Sequence, residues 1–95
     1  MNESDLLKKI STKFTLNRTL TSKIWNFILG EITQDLKTGK MVLFRNFGTF
    51  RKVFHPKRRY FDPTTKKIKI KEPRFSVLFH PGKDLVRTIS EKRHR

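Results

Sequence analysis

Residues 51–74, RKVFHPKRRYFDPTTKKIKIKEPR, constrain this chain more than any other stretch. Ten of them are Lys or Arg (51, 52, 57, 58, 59, 66, 67, 69, 71 and 74), against Asp62 and Glu72. Asp62-Pro63-Thr64-Thr65, near the middle, is a turn signal. Strand-forming residues lie on both sides of it. In Lys67-Ile68-Lys69-Ile70-Lys71 the alternation is strict, so the three lysines share one face and the two isoleucines the other. The pattern predicts a two-stranded ribbon, with strands over 50–61 and 66–79 and Pro63 at the tip. Pro56 and Pro73 lack an N–H and are tolerable only at an edge or a bulge. In a free-standing ribbon both strands are edges, and proline there also blunts edge-to-edge pairing. Such a ribbon has no core of its own. It must be held at its base and must grip something polyanionic along its length.

The charge distribution agrees. The chain has 95 residues, one domain by length, and a net charge of +15. Residues 40–95 hold seventeen of the 23 Lys and Arg but only four of the eight Asp and Glu. An even excess would serve solubility; this asymmetry marks a surface for an anionic polymer. Nucleic acid is the favoured partner, with an anionic membrane or an acidic protein as alternatives. There are no cysteines, which excludes disulfides and thiolate metal sites and fits a cytoplasmic protein. No apolar run approaches the ~18 residues of a membrane span. The start, MNESDLLKKI, is not a secretory signal. Setting the ribbon aside leaves a body of about 70 residues, and so small a body buries only ~60% of its unfolded surface. Yet the chain carries nine Phe and one Trp. A dimer sharing one core resolves the mismatch.

The rest of the chain supplies that body. Residues 3–14 predict a first helix, with Ser4 as N-cap and Leu6, Leu7, Ile10 and Phe14 on one face. Asn17 or Thr19 caps a second helix over 19–38. Its apolar stripe is Leu20, Ile24, Phe27, Ile28, Ile32 and Leu36, widened by Trp25 and Leu29. A stripe that broad predicts contact with the first helix and with something larger, such as a partner subunit. Trp25 is read as core or interface packing. Gly39 is the stop signal. Residues 41–44 form a short strand, and Asn46-Phe47-Gly48-Thr49 a turn in which Gly48 suits a positive φ. Phe47 and Phe50 bracket that turn as core anchors. After His80-Pro81-Gly82, Lys83 or Asp84 opens a short helix over 83–91 bearing Leu85, Val86 and Ile89. The final EKRHR is a basic tail that frays.

Catalysis finds no foothold. His55, His80 and His94 are scattered, without the spacing of a helical metal site. No phosphate loop or nucleophile motif is present. No cofactor, metal or small-molecule substrate is expected, and the chain is read as a non-enzyme. The basic residues suit phosphate, which they contact without reading sequence. The ribbon lacks any Asn or Gln for a bidentate base contact. Arg58 and Arg59 either read a base or enter a narrow minor groove.

The set Asn46-Phe47-Gly48-Thr49-Phe50, Asp62-Pro63 and His80-Pro81-Gly82-Lys83-Asp84-Leu85, at these spacings, resembles the bacterial HU / integration host factor family of DNA-bending proteins. The likeness covers nearly the whole chain. It implies an α+β fold and an intertwined dimer. Two N-terminal helices form the body (1–40), and a three-stranded antiparallel sheet runs out into a long β-arm (41–80, arm 51–74). A short C-terminal helix follows (83–91). It implies double-stranded DNA as partner, with the arms in the minor groove and Pro63 wedged between base pairs. By the same resemblance DNA is held by Arg45, Arg51, Lys52, Lys57, Arg58, Arg59, Lys66, Lys67, Lys69, Lys71, Arg74 and Lys83. Trp25, Phe27, Ile28, Ile32, Leu36, Phe47, Phe50 and Phe79 form the core and dimer interface. The wedge mechanism comes from the family rather than from these residues.

The departures are specific. Asp62 replaces the usual Asn before the tip proline, Thr65-Lys66 replaces the turn glycine, and Asn46 stands where glycine is usual. The isoleucine alternation is offset by one residue, which predicts a shorter turn and a compensating bulge. Phe54, Tyr60 and Phe61 are aromatics in an arm that is normally polar. They either pack on one another or on Ile68 and Ile70, or touch sugars or an unstacked base beside Pro63. The expected function is architectural: a nucleoid-associated homodimer, or one half of a heterodimer, that bends and compacts DNA with little sequence preference. A site-selective bender and an RNA-binding module are the alternatives.

Overall fold

The computed structural model describes residues 1–91; the end of the basic tail, with His94, lies outside the described residues. The backbone forms two compact units, Met1–Gln34 and Asp35–Arg95.

The first unit is a helical hairpin. Helix α1 spans Glu3–Lys13 and helix α2 Arg18–Lys37, the latter running on into the second unit. Asn2, not Ser4, caps α1. Its Oδ1 accepts from the Asp5 N–H at 2.8 Å while the Asp5 carboxylate accepts from the Asn2 N–H at 3.3 Å. This reciprocal capping box satisfies donors that a first turn otherwise leaves open. Asp5 reaches back where a Glu or Gln would, which is why the start lies two residues earlier than expected. At the other end Leu16 N–H bonds back to Ser11 O at 3.0 Å, with Thr15 in the left-handed region at φ 55°. That closure takes Phe14 off the apolar stripe; it caps the helix and is exposed. Asn17 caps α2, its Oδ1 accepting from Leu20 N–H at 2.7 Å. Trp25 donates its indole N–H to Glu3 Oε1 at 2.7 Å, tying the start of α1 to the middle of α2.

The second unit begins with the end of α2. There Gly39 takes φ 86°, and Lys40 N–H reaches Asp35 O at 2.8 Å. This is the glycine-closed stop expected from the sequence. Strands β1 (Val42–Phe44), β2 (Gly48–His55) and β5 (Arg74–Pro81) form an antiparallel sheet in the order β1-β2-β5. Strands β3 (Arg58–Asp62) and β4 (Lys67–Lys71) form a separate two-stranded antiparallel sheet. Helix α3, Lys83–Ser90, follows, with Lys83 opening it after Gly82.

Two expectations about this unit need correction. In the turn before β2 it is Asn46, not Gly48, that adopts a positive φ, at 63°. Gly48 is required for another reason: a Cβ there would lie 2.6 Å from His80 O and from the Phe79 ring. The glycine lets β5 and its phenylalanine close over the strand. The ribbon also contains no bulge. β2 pairs with β5 from Gly48↔Pro81 to His55↔Arg74, and β3 with β4 from Arg58↔Lys71 to Asp62↔Lys67. One register therefore runs through both sheets. The offset isoleucines are absorbed by the tip, a four-residue loop over 63–66 with Lys66 at φ 58° in place of a glycine.

That register puts Pro56 at the level of Pro73. The two strands predicted as continuous are each interrupted here, at 56–57 and 72–73. Neither proline has an N–H to give, so the ladder lapses on both sides at once.

The core within one chain is slight. Leu7 and Val42, at 5% and 9% exposure, are the buried hydrophobics, joined by Thr21. Thr21 is satisfied by its Oγ1 bond to Asn17 O at 3.0 Å.

Candidate nucleic-acid interface

The proximal sheet has an apolar face and a polar one. Residues opposite one another in an antiparallel ladder share a face, and alternate residues share it too. On one face lie Val42, Phe44, Phe50, Lys52, Phe54, Phe75, Val77 and Phe79. The Phe50 and Phe79 rings sit 4.8 Å apart, Phe54 and Phe75 5.1 Å, and Phe44 meets Phe50 edge-on at 6.2 Å. The other face carries Arg51, His55, Arg74, Ser76 and His80. Both histidines are engaged there. His55 Nε2 shares a hydrogen bond with Ser76 Oγ at 2.8 Å, and His80 Nε2 accepts from Arg51 Nε at 3.2 Å.

The distal sheet is divided as sharply. Arg58, Tyr60, Asp62, Lys67, Lys69 and Lys71 share one face. Arg59, Phe61, Ile68 and Ile70 share the other, with Phe61 and Ile68 paired directly and each 56% exposed. Counted straight through the proline break, the apolar residues change sides: even-numbered along β2, odd-numbered along β3. The three arm aromatics are therefore not one cluster. Phe54 stacks on Phe75 of the proximal sheet, Phe61 lies beside Ile68, and Tyr60 stands among the lysines.

At the break, His55, Pro56, Arg58, Lys71, Glu72 and Arg74 line an open cleft. Four of these six side chains are basic or can be, so the joint continues the cationic surface between the two sheets.

The tip is ordered by Asp62. Its backbone carbonyl accepts from Lys66 N–H at 2.7 Å, and its Oδ1 accepts from Thr64 N–H at 2.9 Å. Its Oδ2 lies 2.8 Å from Lys69 Nζ. Lys69, followed by the Thr64 and Thr65 donors, holds this carboxyl below the usual aspartate range. Pro63 itself is exposed at the turn.

Among the basic residues singled out from sequence, Arg45, Arg51, Lys57, Arg58, Arg59, Lys66, Lys67, Lys71, Arg74 and Lys83 are exposed. Two others are engaged within the chain. Lys52 lies on the apolar face, with Nζ 3.3 Å from Lys37 O and 4.3 Å from the centre of the Phe75 ring. Lys69 pairs with Asp62. Composition marks a lysine as cationic; only the strand pairing shows what stands beside it.

The residues expected to form a core are largely uncovered. Phe27 is 67% exposed; Ile28 and Phe47 are exposed as well. Trp25, Ile32, Leu36, Phe50 and Phe79 are half-buried. Among the described residues no group of three or more His, Cys, Asp or Glu is placed to hold a metal ion, and no helix is long and apolar enough to cross a membrane.

A helical hairpin, a small antiparallel sheet, a cationic two-stranded extension and a short last helix form a combination with known relatives. The sequence profile of a family described as bacterial DNA-binding protein matches residues 1–90. The chain belongs to the HU / integration host factor family. Within that family it is 29% identical over 85 residues to DNA-binding protein HU-beta 2 of Neisseria meningitidis, covering 90% of this chain and 93% of that one. Its fold matches a chain of an Anabaena HU–DNA cocrystal structure with a TM-score of 0.82 at 18% identity, over 97% of this chain and all of the other. An HU variant from Thermotoga maritima matches with a TM-score of 0.68 at 21% identity, over 95% of this chain and all of that one. As a member of the HU family, the chain is a DNA-binding protein.

Proposed function

We propose that this protein is a non-enzymatic architectural factor of the nucleoid. Two copies bind duplex DNA with little sequence preference, bend it and so help to compact it. The observation that carries this reading is the distal sheet: exposed, cationic along one face, and ending in Pro63 at an ordered turn. Its cations neutralise phosphates and release counterions, which gives affinity without sequence readout. Pro63 inserts at a base step in the minor groove. The unstacking costs a few kcal/mol, and the bend offsets it by bringing more of the protein onto DNA. That an HU from Anabaena was crystallised with DNA supports the choice of ligand.

The dimer follows from exposure. Phe27, Ile28 and Leu29 on α2 and Phe47, Phe54, Phe75 and Val77 in the second unit are all exposed in a single chain. Apolar surface on this scale marks an interface. A second copy supplies the cover, and the whole chain acts as one functional module: body 1–40, sheet and arm 41–80, final helix 83–91. Arg45, Arg51, Lys57, Arg58, Arg59, Lys66, Lys67, Lys71, Arg74 and Lys83 are the phosphate contacts of this reading.

The test is bending measured by energy transfer between labels at the two ends of a short duplex. With Pro63→Ala the transfer should fall toward that of free DNA, while affinity changes by less than about tenfold, or about 1.4 kcal/mol. Unchanged transfer at saturating protein would remove Pro63 from the bending mechanism. Sedimentation should give twice the mass of one chain.

A further inference from the structure

We propose that Asp62 is a positioning residue for Pro63, and that by pairing with Lys69 it withholds one cation of the arm from phosphate. The proposal rests on the DNA-binding reading above and deepens it.

A carboxylate beside the residue that must approach DNA is unfavourable unless something offsets it. The structure supplies two compensations. The first is geometric. Asp62 makes bonds that close over Pro63: its backbone carbonyl takes Lys66 N–H at 2.7 Å, and its Oδ1 takes Thr64 N–H at 2.9 Å. The second bond spans the proline from the residue before it to the residue after it. A side-chain acceptor at this position fixes the loop against rotation where Pro63 alone fixes only its own φ. It also holds the turn closed although Lys66, not a glycine, occupies the left-handed position at φ 58°.

The second compensation is electrostatic. Asp62 pairs directly across the ladder with Lys67, yet its carboxylate reaches diagonally to Lys69, at 2.8 Å. The Asp62 side chain is 19% exposed and that of Lys69 45%. The pair cancels the negative charge locally, so the tip presents no net repulsion to a phosphate backbone. The same pairing removes Lys69 from the cations free to neutralise DNA. The arm's basic face therefore binds through Arg58, Lys67 and Lys71, with Lys69 committed to the tip. Asp62 in this view trades one phosphate contact for an ordered wedge.

The experiment compares wild type, Asp62→Asn, Asp62→Ala, Lys69→Gln and the Asp62→Asn/Lys69→Gln double variant as full chains. Affinity for a linear duplex is measured across a salt series, and bending by energy transfer. Asp62→Asn keeps an oxygen acceptor for Thr64 but frees Lys69. Its plot of log affinity against log salt should steepen by about 0.9, one added phosphate contact, with the bend unchanged. The double variant should return to the wild-type slope. Lys69→Gln alone should leave the slope as it is in wild type. Asp62→Ala should steepen the slope as Asp62→Asn does, but lose bend. A slope flattened by about 0.9 in Lys69→Gln would show that Lys69 already meets phosphate and would overturn the withholding. Equal bending by Asp62→Ala and Asp62→Asn would overturn the positioning. Exchange of the Thr64 amide in the DNA-free protein separates this inference from the functional reading. Asp62→Ala should accelerate it and Asp62→Asn should not, and equal exchange in the two overturns the positioning role. A chain that binds no duplex at any salt overturns the functional reading, and the withholding with it.

Discussion

Below the facing prolines, β2 and β5 pair over eight residues and stack their phenylalanines; beyond them, β3 and β4 pair over five and stack almost nothing. The register is the same on both sides, so backbone pairing does not distinguish the two sheets. Side chains do. The proximal sheet gains from Phe50 on Phe79 and Phe54 on Phe75, and an aromatic pair contributes about 0.5–1.5 kcal/mol beyond its buried area. The distal sheet has a partly exposed Phe61–Ile68 pair and an exposed ion pair. A two-stranded ribbon of that kind is marginal by itself in water. It persists because the proximal sheet delivers both strands in register. Binding elements are commonly drawn from the low-stability end of a fold, and here the proline pair marks where that end begins.

The comparison can be broken most easily at its strong end. Phe79→Ala removes a ring that meets both Phe47 and Phe50 and closes over Gly48. It should cost about 3 kcal/mol in chemical denaturation, whereas Phe61→Ala should stay within about 0.5 kcal/mol. Equal losses would mean that the distal sheet carries packing energy like the proximal one.

The joint itself gives the next largest effect. Replacing both Pro56 and Pro73 by Ala restores two N–H donors at one level of the ladder. Amide exchange protection should then extend without interruption from β2 into β3 and from β4 into β5. A gap that persists at 56–57 and 72–73 would place the cause of the break elsewhere than in the missing donors.

The smallest effect concerns the tip. The Asp62 carboxyl is held below the ordinary aspartate range, chiefly by Lys69. A carboxyl whose pKa is depressed in the folded state stabilises that state above its unfolded value and loses the contribution as pH falls through the folded value. The Thr64 amide resonance should therefore titrate with a midpoint below that of an unstructured aspartate. Lys69→Gln should move the midpoint upward. A midpoint at the unstructured value would mean that the pair is not populated in solution.

Much of this architecture was legible in the residues. Gly39 after Lys37 marked the end of α2, and Asp62-Pro63 marked the tip, because turn chemistry is local. The strict Lys-Ile alternation of β4 predicted its two faces correctly. The first cap was misplaced because Ser4 and Asn2 are both good caps, and only the reciprocal bond with Asp5 selects between them. The expected bulge was an inference from the shifted isoleucines. A four-residue loop with Lys66 in a left-handed conformation absorbed the shift instead. The Trp25–Glu3 bond, between residues twenty-two apart, has no periodic signature at all.

The sequence by itself determined the elements, the basic arm and its turn, since periods of 2 and 3.6 and the preferences of Pro, Gly and Asn act over a few residues. The tertiary structure decided which cations are engaged: Lys52 over Phe75 and against Lys37, and Lys69 on Asp62. It also decided that the two prolines face each other and that the apolar side of the arm changes over at their level. All of these depend on which residue stands opposite which. Strand register sets that pairing, and register is a property of two segments brought together, not of either one alone.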